Sequence, residues 1–195
     1  TKIYKANERG TANYGWLKAN YSFSFSNYYN PEKLSFGALR VLNDDSIDAG
    51  MGFGTHPHEN MEIITIPLEG SLKHRDSMGN KWIPIETGEV QVMSAGSGVQ
   101  HSEMNNSLTD PINLFQIWIF PNLKQIEPRY AQRKYELSSN TFTTLVGPKS
   151  SKLSTWIQQD AWLSMGNFDA HTSTHYELKN PANGCYVMVI DGEIK

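Results

Sequence analysis

The sequence is poor in cysteine, with Cys185 as its single thiol. One cysteine excludes an intramolecular disulfide and a structural zinc site made of several thiolates. This scarcity is typical of proteins from a reducing compartment, so we expect a cytoplasmic location.

Long apolar runs are also missing from the sequence. No stretch approaches the length of about 18 residues that a membrane-spanning helix needs. The polar start TKIYKANERGTANYG lacks the features of a secretory signal peptide. The sequence therefore predicts a protein without a membrane partner.

The chain has no excess of positive charge, since 17 Lys and Arg residues stand against 20 Asp and Glu, which gives a net charge of −3. Without a basic field, direct binding of DNA or RNA is not expected. The 195 residues are 38% hydrophobic and 19% charged. This composition suits a globular chain of one large domain or one and a half small ones.

No long amphipathic helix is evident, whereas short strand-like segments are frequent. The segment YSFSFSNYY (21–29) alternates strictly, and FGALRVLN (36–43), MEIITIPLEG (61–70), EVQVMSA (89–95) and INLFQIWIF (112–120) continue the series. Turn residues such as DSMGN and NNSLTDP separate these segments. This punctuation predicts an all-β sandwich or barrel.

Two pairs of metal-ligating residues interrupt this pattern. His56 and His58 are spaced by two before an apolar run, and His101 and Glu103 have the same spacing after a Gly-rich turn. Side chains alternate along a strand, so each pair faces one side of a sheet. Imidazoles with one carboxylate are the usual ligands of non-haem iron, manganese, nickel or copper, and they leave positions open for substrate. The spacing therefore predicts a metal centre built from two strands.

The identity of the carboxylate ligand is left open by this spacing. Glu62 shares the parity of His56 and His58, while Glu103 shares that of His101. Parity along a strand favours neither residue over the other.

The two motifs resemble those of the cupins. Segment 50–62, GMGFGTHPHENME, is similar to the first cupin motif, and segment 98–105, GVQHSEMN, to the second. Two departures are a spacer of seven residues between Glu62 and Gly70, where six is usual, and Gly96 in place of a common proline. More specifically, HPHENMEIITIPLEGSLKHRDSMGN followed by GEVQVMSAGSGVQHSEMN resembles the pirin family, and the likeness runs from about residue 3 to the end.

This resemblance implies an all-β bicupin, in which each cupin is a double-stranded β-helix or jelly-roll barrel. We expect an N-terminal metal-binding cupin over 1–122, a connector over 123–150 and a partial C-terminal cupin over 151–195. The second barrel is expected to be incomplete and metal-free, although His171 and His175 lie where a second cupin could carry ligands.

The same resemblance implies one divalent transition metal. Fe(II) is the first choice, with Zn, Mn, Ni, Co or Cu as alternatives. The implied ligands are His56, His58, His101 and Glu103. Glu62 is expected to contact these ligands or to lie on the surface, and His74 to be a structural residue or to contact the ligands, with neither binding the metal.

Two functions follow from the resemblance. The first is a dioxygenase that opens flavonols such as quercetin, with Glu103 as a ligand and general base and Phe53 lining the substrate pocket. The alternative is an iron-dependent redox sensor that binds a transcription factor or a metabolic enzyme. The sequence leaves the native substrate and the oligomeric state open.

Overall fold

The structure, a computed structural model, describes residues 1–194. These residues form fourteen β-strands and two single-turn 3₁₀ helices, Ala6–Glu8 and Lys149–Ser151, without any α-helix. No helix among them has the length and apolarity to cross a membrane. The strands are β1 (Gly10–Asn13), β2 (Leu17–Tyr21), β3 (Leu39–Ile47), β4 (Gly52–His58), β5 (Glu62–Glu69), β6 (Ser71–Asp76), β7 (Ile83–Glu86), β8 (Glu89–Ser94), β9 (Val99–Asn105), β10 (Ile112–Ile119), β11 (Arg129–Lys134), β12 (Thr141–Pro148), β13 (Trp156–Ile157) and β14 (Leu163–Asn167).

Eight consecutive strands, β3 to β10, form a jelly roll. In one antiparallel sheet the neighbours are β3, β10, β5 and β8, and in the facing sheet they are β4, β9, β6 and β7. β1 and β2 extend the first sheet at its β3 edge, and β11 extends it at β8, to seven strands in all. This arrangement confirms the predicted all-β class.

The two faces of the seven-stranded sheet pack against different partners. On the inner face, Ile47, Ile112 and Leu114 pack against Leu72 and Ile85 of the four-stranded sheet. Because side chains alternate along a strand, the neighbouring residues take the outer face. The inner face is therefore the wall of the barrel interior.

The outer face of the same sheet is covered by the C-terminal region. Ile64, Ile66 and Phe115 pack there against Leu145 and Val146 of β12. β12 is the central strand of a three-stranded sheet, between β13 and β14. Because the sheet is covered on both sides, β5 and β10 carry mostly apolar residues on both faces.

The segment 123–150, expected to be a connector, contains the strands β11 and β12. Its polarity comes partly from Arg129 and Arg133, whose guanidinium groups donate hydrogen bonds to the carbonyl oxygens of Trp156, Thr144 and Leu145. These arginine side chains thus donate hydrogen bonds from β11 to backbone carbonyl groups of the C-terminal region. Because arginine is charged, the sequence of β11 lacks the apolar pattern that would predict a strand.

The alternating segment 21–29 is not a strand beyond Tyr21, where β2 ends. Phe25 and Tyr28 exchange backbone hydrogen bonds of 3.0 and 2.9 Å across a tight turn, and Ser26 has a left-handed φ of 51°. Phe23 is nevertheless buried and Phe25 partly buried, in two different clusters. The alternation reflects the burial of these rings rather than an extended backbone.

We predict that Gly52→Ala destabilises the barrel, because its Cβ would collide with the backbone of Glu103 and Met104 in β9. The expected loss in the free energy of unfolding is about 1–3 kcal/mol. Gly54→Ala, in the same strand, is the matched control, since nothing lies within 4 Å of its Cβ. Its expected change is within about 0.5 kcal/mol. Urea denaturation measures both, and equal stabilities would contradict the close approach of β4 and β9.

Candidate metal centre

β9 lies between β4 and β6, and this pairing brings the predicted ligands together. His101 of β9 is opposite His56 of β4 on one side and Asp76 of β6 on the other. Two residues further along, Glu103 is opposite Phe53 and His74. The three strands thus present two adjacent rows of side chains to the barrel interior.

β4 contains a β-bulge between Phe53 and His56, which shifts its register against β9. Three steps along β4 match two steps along β9, so β4 carries one extra residue. At the bulge the carbonyl oxygen of Gly54 lies 2.7 Å from Nδ1 of His56. The bulge therefore places Phe53 opposite Glu103, and the His56 ring forms a hydrogen bond with the backbone of its own strand.

Three imidazoles form a compact cluster at this position. The ring centroids of His56 and His101 are 4.4 Å apart, and His58 lies 4.9 Å from each of them. Each of the three offers a nitrogen, and these nitrogens all lie within 4.8 Å of one another. The structure thus groups three of the four predicted ligands around one point.

The facing nitrogens in this cluster fit a cation. A carbonyl oxygen only accepts, so Nδ1 of His56 carries the proton that Gly54 binds. Nε2 of His56 then has a lone pair, and it lies 2.9 Å from Nε2 of His101. A lone pair at this distance needs a proton or a metal ion between the two nitrogens. Imidazole nitrogens of this kind are common ligands of divalent transition metals.

Two of the three imidazoles, His58 and His101, are held in the neutral form that binds metals. Burial, together with the neighbouring imidazoles, lowers the pKa of His58 to about 4 and that of His101 to about 3. Both pKa values lie well below neutral pH, so neither ring is charged there. Neutral imidazoles can coordinate a metal without first losing a proton.

Glu103 is buried in the barrel interior beside these rings. Its Oε2 accepts a hydrogen bond of 2.8 Å from Nε2 of Gln116, and its Oε1 accepts one of 3.3 Å from the Thr65 hydroxyl. With His74 and His101, it forms a second group whose ligand atoms lie within 4.8 Å of one another. His101 belongs to both groups and therefore connects Glu103 with His56 and His58.

A polar row on the seven-stranded sheet supports Glu103 from the opposite wall. Asn43, Gln116, Thr65 and Gln91 are consecutive partners across four strands, and all four are buried. Next to this row, burial and the charges of Asp44 and Glu103 raise the pKa of Asp45 to about 7. The interior around Glu103 is thus polar, in contrast to the apolar layer formed by Ile47, Leu72 and Ile85.

The structure does not bring Glu62 to the imidazoles. Its carboxylate accepts a hydrogen bond of 2.7 Å from the Ser94 hydroxyl. It shares the outer face of β5 with Ile64 and Ile66, whereas Thr65 faces the interior. Parity cannot be counted from His58 to Glu62, because β4 and β5 belong to different sheets and Asn60, between them, has a left-handed φ of 50°. Burial raises the pKa of Glu62 above its ordinary value, although the Ser94 hydrogen bond opposes this.

His74 lies directly behind His101. Its Nδ1 is 3.5 Å from Nδ1 of His101, and its Nε2 is 2.9 Å from Oδ2 of Asp76. Burial tends to raise the pKa of Asp76, but the hydrogen bonds from His74 and two backbone N–H groups leave it below its ordinary value. Asp76 is thus an ionised acceptor at neutral pH.

Aromatic side chains flank the open side of the cluster. His56 and His58 are half-buried, whereas His101 is 3% exposed, so the cluster faces outward through the first two. The Trp118 ring lies edge-on to His58 at 4.9 Å. Phe53, predicted to line a substrate pocket, packs edge-on against Trp16 with the ring centroids 5.4 Å apart.

Sequence reasoning missed four residues that contact the predicted site residues. Thr65 and Gln116 contact Glu103, Trp118 contacts His58, and Asp76 contacts His74. Asp76 could have been found, because it lies two residues after His74 and so shares its face of β6. Thr65, Gln116 and Trp118 depend on which strands become neighbours across the barrel, and no local spacing encodes that. His171 and His175 are exposed, and neither belongs to a ligand group within residues 1–194.

Comparison with known families gives two matches along the chain. The family model described as Pirin matches residues 3–119, and the one described as Quercetinase C-terminal cupin domain matches residues 144–195. The first match contains all four predicted ligands. The second begins within β12 and covers the region packed behind the seven-stranded sheet.

Individual relatives agree with these matches. A quercetin 2,3-dioxygenase of Escherichia coli (strain K12) is 58% identical over 134 residues, which are 69% of this chain and 58% of that protein. A pirin-like protein of Caulobacter vibrioides is 40% identical, over 91% of this chain and 77% of that protein. The crystal structure of the bacterial pirin YhhW from Escherichia coli in complex with nickel(II) superposes with a TM-score of 0.77. It is 48% identical and covers 82% of this chain and 68% of that one. The expected cupin fold is thereby confirmed.

We predict that the metal-free protein loses stability as the pH falls from about 6.5 towards 4. The unfolded chain takes up protons on His58 and His101 near the ordinary pKa of 6.5, whereas the folded chain takes them up only near pH 4 and 3. His101→Gln removes one of these groups and should flatten the slope by at most about 1.4 kcal/mol per pH unit.

The measurement is urea denaturation of chelator-treated protein at several pH values. The control is His175→Gln, because this histidine is exposed and lies outside the cluster. A His101→Gln variant with the same pH slope as wild type and the control would contradict the lowered pKa of His101.

Proposed function

Because this chain belongs to the pirin family, we propose that it is a metal-dependent dioxygenase that opens flavonols such as quercetin. The similar Escherichia coli protein named quercetin 2,3-dioxygenase supports the reaction class. The observation that carries the proposal is the pair of imidazole nitrogens 2.9 Å apart, in a cluster of three histidines that opens outward.

The proposed ligands are the residues that the resemblance implies: His56, His58, His101 and Glu103. Such a set of imidazoles and one carboxylate, with positions left open, suits a mononuclear Fe(II) centre. The crystal structure of the Escherichia coli pirin is a nickel(II) complex. Our choice of iron therefore rests on the reaction class, since the donor set also suits other divalent ions.

The charge of the ligand set suits an anionic substrate. Three neutral imidazoles and one carboxylate offset only one of the two charges of a divalent ion. These residues would hold a divalent ion whose Lewis acidity would favour the ionised form of the flavonol hydroxyl. The residual positive charge favours a flavonol bound as its 3-oxyanion.

Glu103 is the proposed acceptor of the flavonol hydroxyl proton. Gln116 and Thr65 each donate one hydrogen bond to a different oxygen of this carboxylate. Each oxygen keeps a second lone pair, so one oxygen can bind the metal while the other can accept a proton. The two donors thus hold the base in place during the transfer.

The aromatic residues are the proposed wall for the flat substrate. Trp118 lies against His58, on the outward side of the cluster, and the bulge in β4 brings Phe53 level with Glu103. Apolar rings at this position exclude water from the reacting carbon atoms. Overall, the flavonol takes up both atoms of one dioxygen molecule, its central ring opens and one carbon monoxide is released.

We predict that the protein, reconstituted anaerobically with Fe(II), consumes dioxygen in proportion to quercetin and releases carbon monoxide. His101→Ala should lower this rate at least about 100-fold, because removing a metal ligand or its contacts costs 10–100-fold or more. An oxygen electrode and the absorbance of quercetin measure the two reactants.

His175→Ala is the matched control, since it removes an exposed imidazole far from the cluster in sequence and leaves all four proposed ligands. Equal uptake by wild type and the His101→Ala variant would contradict the proposed site. Iron-loaded protein without uptake would contradict the proposed reaction.

A further inference from the structure

The face of the four-stranded sheet that points away from the barrel interior carries two cations side by side. Lys73 and Arg75 of β6 both lie over the ring of Trp82, with Nζ of Lys73 5.6 Å and Cζ of Arg75 4.8 Å from the ring centroid. Within residues 1–194, no carboxylate oxygen lies within 4.0 Å of either cation. Two like charges held over one ring repel each other, so this position favours a bound anion.

Beside Arg75, a row of side chains crosses three strands on the same face. Arg75 of β6 is opposite Ser102 of β9, and Ser102 is next to the bulge of β4, which contains Thr55. His101 and Glu103, on either side of Ser102 in β9, are the residues that point into the barrel. Because side chains alternate along a strand, Ser102 points away from the proposed metal centre.

This row borders a hollow of about 150 Å³. Asp76 and His101 form part of its wall, and the other residues that line it carry polar groups able to donate a hydrogen bond: Thr55, Arg75, Ser77, Asn80, Gln100 and Ser102. These donors come from three strands and the turn after β6. They therefore approach a molecule in the hollow from several directions.

The donors closest to β9 have no partner of their own in the described part of the chain. Ser102 is 5% exposed, and its hydroxyl makes no hydrogen bond to another side chain or backbone group among residues 1–194. The guanidinium group of Arg75 makes none there either, although it has five N–H donors. A buried hydroxyl is normally hydrogen-bonded, so the position of Ser102 indicates a partner from outside the chain.

Asp76, the acidic residue in the wall of the hollow, does not neutralise Arg75. Its Oδ1 accepts hydrogen bonds from the backbone N–H groups of Met78 and Gly79, at 2.9 and 3.0 Å, and its Oδ2 lies 2.9 Å from Nε2 of His74. Asp76 and Arg75 are neighbours in β6, so their side chains point to opposite faces of the sheet. The positive charge of Arg75 therefore remains available to a ligand.

We propose that this hollow binds a phosphate group, either as inorganic phosphate or as part of a small phosphate monoester. The guanidinium group of Arg75 pairs with two phosphate oxygens, and the hydroxyl groups of Ser102 and Thr55 donate hydrogen bonds to the others. Lys73 adds a second positive charge at the edge of the site. A carboxylate offers two oxygens in one plane, whereas donors from three strands suit the four oxygens of a tetrahedral group.

The phosphate site is separate from the reaction proposed above. None of its donor groups is a proposed metal ligand, and Ser102 lies on the other face of β9 from His101 and Glu103. Phosphate binding therefore does not require the flavonol reaction.

Titration of the full chain with inorganic phosphate, followed by ¹H–¹⁵N correlation spectra at constant pH and ionic strength, tests this site. We expect saturable shifts of the Ser102 amide signal and of the Arg75 Nε–H signal, and no such shifts with chloride. Wild type without saturable shifts at these two residues would overturn the proposal.

Variants show whether the shifts report the proposed contacts. Arg75→Gln should weaken phosphate binding at least about tenfold, because it removes a charge-assisted hydrogen bond. Ser102→Ala should weaken it about two- to tenfold, through the loss of one neutral donor. Lys18→Gln is the matched control for the charge, since it removes an exposed cation from β2 in the other sheet and should leave the affinity unchanged.

Two outcomes with these variants would contradict the site. Unchanged phosphate binding by Arg75→Gln would place the phosphate elsewhere, for example on a metal ion at the histidine cluster. Equal weakening by Arg75→Gln and Lys18→Gln would show that only the net charge of the chain attracts the anion.

Phenyl phosphate and acetate are the probes that identify the ligand class. Phenyl phosphate bound at least about tenfold more tightly than inorganic phosphate would identify a monoester as the ligand. Equal affinities of these two would identify free phosphate. Acetate bound as tightly as phosphate would overturn the assignment to a phosphate group.

Discussion

The candidate site depends on the antiparallel pairing of β9 with β4 on one side and β6 on the other. This pairing sets His101 opposite both His56 and Asp76, and Glu103 opposite both Phe53 and His74. β4 can approach β9 this closely because Gly52 leaves no Cβ between them. The same ladder therefore fixes the spacing of the proposed ligands and the hydrogen bonds behind them.

Burial gives this geometry its chemical character. Inside the barrel the charged form of an imidazole is disfavoured, so His58 and His101 remain neutral over the physiological range. Neutral imidazoles can offer lone pairs to a cation. Gln116 and Thr65 orient the carboxyl group of Glu103 through one hydrogen bond each. The result is a preorganised donor set on rigid strands, whose half-buried members His56 and His58 face outward.

The sequence predicted the strand-rich fold and the pairing of ligands on single strand faces from local spacing, and it predicted the common metal site of the two pairs from the resemblance to cupin motifs. Alternation places His56 and His58 on one face of β4, and the Gly-rich turn leads directly into His101. Local spacing failed where the chain passes from one sheet to another. The parity of Glu62 had no meaning across the turn at Asn60, and the arginines of β11 made a strand look like a connector. Thr65 and Gln116 reach Glu103 only because β5 and β10 become neighbours across the barrel, a non-local pairing that no short motif contains.

The most direct measurement of the central claim is an anomalous difference map from crystals grown with a divalent transition metal. The account predicts one strong peak, at about 2.0–2.2 Å from one nitrogen each of His56, His58 and His101 and from one oxygen of Glu103. A peak held by His74 and Glu103 without His56 and His58 would contradict it. Well-ordered imidazoles without a peak between them would contradict it as well.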